Sequence, residues 1–135
     1  MKANELMIGD WVKTPKGFFQ VNGIQDNDVI GTDYNNGEGA DSLFFIDEIE
    51  PIPLTADILE KNGFEKQWQY NYEYFDDDEN LNITFNSKST NYTNGAYDYI
   101  DIEKGCLTIN EMPIAFVHEL QHALKLCGSE KEIVL

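Results

Sequence analysis

The chain has no arginine, and its 9 basic residues, all lysines, face 25 acidic ones for a formal net charge of −16. Without a guanidinium there is no planar fork for guanine edges or phosphate, and a field of this sign repels nucleic acid and anionic membranes. Neither is an expected partner; a protein is. Cysteine is nearly as scarce. Cys106 and Cys127 lack metal-type spacing, and two thiols make no secreted disulfide framework, so both are expected to be reduced. No apolar run approaches the roughly 20 residues of a membrane helix, and the stretch Met1-Lys2-Ala3-Asn4-Glu5 has no signal-peptide core, which points to the cytoplasm. No glycine-rich stretch follows a strand and opens a helix, so nucleotide binding has no support. Neither cysteine has a histidine beside it, and a nucleophilic enzyme is disfavoured for that reason. Oligomeric state leaves no mark in the sequence.

What is present is a chain of 135 residues, 41% apolar, which can bury one core or two small ones without a disulfide or a metal. The acidic excess runs along the whole length and forms no separate tail. Its plain reading is a solubilising surface. The competing one is a nucleic-acid mimic that docks on a basic host protein.

The pattern of apolar residues predicts an α+β fold in two parts. Over residues 1–54, four short strands (11–14, 18–24, 29–34 and 42–46) with frequent turn residues and no helix-period segment predict a small SH3-like β-barrel or meander. Glu50-Pro51-Ile52-Pro53-Leu54 is placed to close its edge. Over residues 55–135 the expectation is a helix, a four-stranded antiparallel sheet and a C-terminal helix packed on it. Thr55 is a good N-cap for the first helix, Leu54 and Leu59 a hydrophobic staple and Gly63 its stop. Alternation then marks sheet strands at 67–74, 81–86, 97–102 and 106–109.

Two features of that sheet invite chemistry. Asp76-Asp77-Asp78-Glu79 offers four carboxylates, but it lacks the spaced oxygen ligands and glycine of an EF-hand loop and reads as a solvated turn. Trp68, Tyr70, Tyr72 and Tyr74 form an aromatic ladder that could stack on bases or sugars; without basic residues beside them, they read as core under a helix.

The strongest chemical motif is His118-Glu119-Leu120-Gln121-His122, which spells H-E-x-x-H and contains both histidines of the chain. On a helix the two histidines share a face and can share a zinc ion, while the glutamate can act as general base. Asn110 is the expected N-cap of that helix, with Glu111 and Pro113 in its first turn and Gly128 past its end. Val117, Leu120, Leu124 and Cys127 are its buried seam, widened by Ile114, Phe116 and Ala123. At about 100° per residue, His118, His122 and Glu119 lie about 100°, 140° and 200° from Val117, away from the seam. Too few residues follow His122 for a later helix to supply a third ligand, and Lys125 stands where the metzincin pattern needs glycine. The preferred reading is a pair of exposed or rim histidines, with no metal, cofactor or catalytic residue. The alternative is a zinc-dependent hydrolase with His118 and His122 as ligands and Glu119 as base.

Three segments also carry a resemblance: Asn4-Glu5-Leu6-x-Ile8-Gly9; Ile49-Glu50-Pro51-Ile52-Pro53-Leu54-Thr55 through Leu59-x-x-Asn62-Gly63-Phe64; and Val117-His118-x-Leu120-Gln121-x-x-Leu124-x-x-x-Gly128. With these the chain resembles a group of small proteins of gut-type bacteria and their prophages, to which no function is attached. Glutamine and asparagine typically stand in that group at the places of Glu119 and His122. The resemblance therefore implies a helix that does not need the metal motif. The expected role is a non-enzymatic accessory or protein-interaction protein of a prophage or mobile element.

Overall fold

Pro15 and Lys16 fill a two-residue turn, with Thr14 opposite Gly17, and so set the first hairpin of a four-stranded antiparallel sheet ordered β1-β2-β3-β4. Its strands are Trp11–Thr14, Gly17–Gln25, Val29–Thr32 and Ser42–Phe45. The structure, a computed structural model, describes residues 2–26, 29–32, 42–68, 71–88 and 97–135. Tyr70, the expected strand end at Tyr34 and most of the two polar loops, 35–41 and 89–96, lie outside these residues.

The sheet curls into a half-barrel. After β4 a 3₁₀ turn, Ile46–Glu48, leads to Glu50, whose backbone exchanges two 2.9 Å hydrogen bonds with Lys13 on β1. The Lys13 and Glu50 side chains add an ion pair at 3.2 Å. This is the edge closure expected of residues 50–54. Inside lie Leu6, Val12, Val21, Ile30, Phe44 and Ile49. The approach to β1 is held by Asp10, fully buried, which accepts the Met7 N–H at 2.8 Å through its carboxylate. Gly9, with φ 96°, is turned so that its own N–H reaches the Val21 carbonyl at 2.7 Å.

The chain divides into two compact units, residues 1–53 with 116–118 and residues 54–115 with 119–135. The second opens with α1, Ala56–Lys61, where the Thr55 hydroxyl accepts the Ile58 N–H and Gly63, φ 89°, ends the helix. Five antiparallel strands follow in the order β5-β6-β7-β8-β9: Glu65–Lys66, Asn71–Asp76, Leu81–Asn86, Tyr99–Lys104 and Leu107–Pro113. Leu81, Ile83, Phe85, Ile100 and Ile102 form the buried face of the central strands. The last helix, α2, is Val117–Leu126. Its Val117, Leu120, Ala123 and Leu124 are buried, as the 3.6-residue period requires. No helix among the described residues is long and apolar enough to cross a membrane.

Three expectations need correction. The second sheet has five strands, because Glu65–Lys66, ahead of the segment expected as a strand over 67–74, pairs as a short strand of its own, and that segment bends at Trp68 before its strand begins at Asn71. There Gln67 N–H donates to Asn71 O and Asn71 N–H to Trp68 O, which separates a short β5 from β6. Trp68 consequently leaves the aromatic ladder and is 79% exposed. The C-terminal helix also starts six residues later than a cap at Asn110 implies, since residues 107–113 pair with β8. Asn110 and Glu111 together oppose Asp101 in a bulge, with Glu111 at φ 53° and its N–H on the Asp101 carboxylate at 2.8 Å. Polar residues that read as a cap are the bulge of a strand.

Candidate functional site

The first helical amide of α2 is satisfied by the backbone, Val117 N–H donating to Ile52 O at 2.9 Å. The residue before it, Phe116, offers no side-chain acceptor; one residue earlier, the Ala115 N–H donates to Glu119 Oε1 at 2.9 Å, which ties the entering chain to the first turn. A carboxylate at the third position of a helix also complements the positive end of the helix dipole. The general base of the zinc reading thus also fixes the chain at the entry to its own helix.

The two histidines part company in their surroundings. His118 groups with the first unit and is 6% exposed, its ring stacked on Phe116 with centroids 5.9 Å apart and planes 12° off parallel. It is neither exposed nor at a rim, which corrects the expectation from the helical wheel. The wheel places His118 relative to the seam and says nothing of neighbours such as Phe116, on whose ring it stacks. His122 is half-buried in the second unit, where it lines a cleft of about 300 Å³ with Glu119, Met112, Pro113, Ala123 and Leu126.

The structure therefore brings Glu119 and His122 to one cleft. A zinc ion in a protein needs at least three side-chain ligands, and among the described residues no group of three or more histidine, cysteine, aspartate or glutamate side chains is arranged to hold a metal. Cys106 is exposed in the β8–β9 turn, and Cys127 is buried, its thiol pushed up by burial. The cleft is lined by an imidazole, a carboxylate and an apolar wall.

The acidic turn after β6 has a structural task. Asp76 Oδ1 accepts the N–H groups of Asp78 and Glu79, at 2.9 and 3.3 Å. Glu79 accepts the Ser129 hydroxyl and the Glu130 N–H, both at 2.6 Å. The Ser129 hydrogen bond, then that of Glu130, holds the Glu79 carboxyl below its ordinary range, with help from the Lys104 charge. Lys131 lies with Nζ 3.9 Å from the Tyr74 ring centroid; burial lowers its ammonium, while Asp76 and Glu79 pull the other way.

Sequence reasoning missed two surfaces. On β4, the edge strand of the half-barrel, Leu43 and Phe45 are 64% and 62% exposed, with the buried Phe44 between them. In the second unit Phe75 is 60% exposed beside a cleft of about 160 Å³ lined by Gly63, Glu65, Gln67, Glu73 and Phe75. The alternation in Leu43-Phe44-Phe45 was open to view; which apolar side chain stays uncovered was not. No protein-family model, curated protein or solved structure matches the chain.

Proposed function

We propose that the chain is a non-enzymatic interaction protein, an accessory factor of a prophage or other mobile element acting in the bacterial cytoplasm. The half-barrel, in an SH3-like layout, binds a protein through β4. The observation that carries this reading is the pair Leu43 and Phe45, exposed side by side on a strand that pairs only with β3 among the described residues. Burying one such side chain in a partner is worth about 1.5–3 kcal/mol, so the pair is an anchor of ordinary strength. Leaving two large apolar groups on an edge strand also carries an aggregation risk that folds usually remove. The 3₁₀ turn and the Glu50 return to β1 support the SH3-like layout, and the sequence resemblance supports the setting.

The test is a photo-crosslinking amino acid at position 45, with a control at the exposed Gln20. A discrete adduct from position 45 in host cells is expected. It should vanish when Leu43→Asp is added in a protein that melts within a few degrees of the parent. Folded protein that gives no adduct at position 45, or the same adducts from position 20, removes the proposal.

A second reading keeps one observation in its favour, the cleft shared by Glu119 and His122. A zinc hydrolase built there should retain close to one equivalent of zinc after purification without a histidine tag. Less than about a tenth of an equivalent eliminates it.

A further inference from the structure

β5 is two residues long and β6 is six, so β6 outruns its neighbour. Glu65 pairs with Glu73 and Lys66 with Tyr72, whereas Tyr74, Phe75 and Asp76 are paired only on the β7 side. Gly63 turns the chain at this point, and the 160 Å³ cleft opens between the strand edge and the turn. Its lining is unusual for the outside of a sheet. Phe75, one of the lining residues, presents most of its ring to solvent. Glu65 and Glu73 stand directly opposite each other across the strands, an arrangement in which like charges repel. Neither has a hydrogen-bond or ion-pair partner among the described residues. Lys66 cannot relieve them, since its side chain leaves the opposite face of β5.

We propose that this cleft receives the arginine side chain of an extended basic segment on a partner protein. The guanidinium fork suits two carboxylates on adjacent strands, and its flat face suits the exposed ring of Phe75. Lysine meets the charge but offers neither the fork nor the stacking plane. A second copy of this chain is not the occupant: it contains no arginine, and at −16 it brings acid to acid. The proposal uses residues of the second unit only, so it stands or falls separately from the β4 reading.

The probe is a capped pentapeptide with arginine at its centre between valines and threonines, titrated into the full-length protein by amide chemical-shift mapping. Saturable shifts are expected at Gly63, Glu65, Glu73 and Phe75. Replacing the arginine by the neutral isostere citrulline should weaken binding about tenfold or more, and a lysine peptide should fall between. Glu65→Gln and Glu73→Gln should each weaken the arginine peptide severalfold. Both variants remove a repulsion, so their melting temperatures should equal or exceed the parent value, and a binding loss in them is not unfolding. Equal shifts from the citrulline peptide, shifts confined to other residues, or none at these four amides at millimolar peptide would each overturn the assignment.

Discussion

Asn62 does for the C-terminal segment what a neighbouring strand does elsewhere. Its Oδ1 accepts the Val134 N–H and its Nδ2 donates to the Val134 carbonyl, both at 2.8 Å, while Nδ2 also reaches Ile58 O at 2.8 Å. The residue is buried, as is Ile133, which the clamp keeps in place. Asn62→Ala should cost about 1–3 kcal/mol in urea unfolding, from lost hydrogen bonds and an underpacked site, and should speed amide exchange at Val134. Glu79 fixes the other end of this segment, and its carboxyl is harder to protonate in the folded than in the unfolded chain. Its contribution is fully present above the unfolded value near 4.5 and is lost as the pH falls through the lower folded value. Thermal melts between pH 6 and pH 3 should therefore fall less steeply for Glu79→Gln than for the parent. Parallel slopes would show that the two short hydrogen bonds do not act through charge.

At the level of elements, the ends of α1 and the β8–β9 turn separate backbone strain from crowding. Gly105 has φ 60° and open space where a Cβ would stand, whereas a Cβ on Gly63, φ 89°, would sit 3.3 Å from the Tyr74 ring. Gly105→Ala should cost about 1–2 kcal/mol, the left-handed penalty alone. Gly63→Ala should cost more, because the ring must also move, and equal losses in denaturant titrations would contradict that account. α2 permits a sharper comparison, since the hydrogen bond at its entry and its metal motif share Glu119. Glu119→Ala should lower stability by about 0.5–1.5 kcal/mol through the lost hydrogen bond to the Ala115 amide, whatever the metal present during purification. An effect confined to zinc-loaded protein would favour the hydrolase reading.

For the whole molecule the charge is the dominant quantity. Twenty-five carboxylates against nine ammonium groups make the folded state repel itself, and salt screens that repulsion more in the compact chain than in the expanded one. The melting temperature should therefore rise between low salt and about 0.5 M sodium chloride, where the screening length has shrunk to a few ångström. A falling value would mean that specific ion pairs such as Lys13 with Glu50 outweigh the general field.

Residues whose role is local were legible. Thr55 and Gly63 bound α1 as their chemistry requires, Pro15-Lys16 forms the first turn, and the seam of α2 follows its period because one face of a helix must be covered wherever the helix lies. The sequence by itself thus determined the α+β class, the alternating strands and the apolar stripe of the last helix. Tertiary structure decided what propensity leaves open. Asn110 and Glu111 carry cap chemistry, yet pairing with β8 gives them a bulge, because Asp101 satisfies the Glu111 amide there. Trp68 and Tyr72 share a parity, yet a bend that breaks the period leaves one exposed and the other buried. His118 lies off the seam by angle and is buried all the same, its ring stacked on Phe116. Periodicity fixes which side chains share a face; only long-range packing fixes what that face meets.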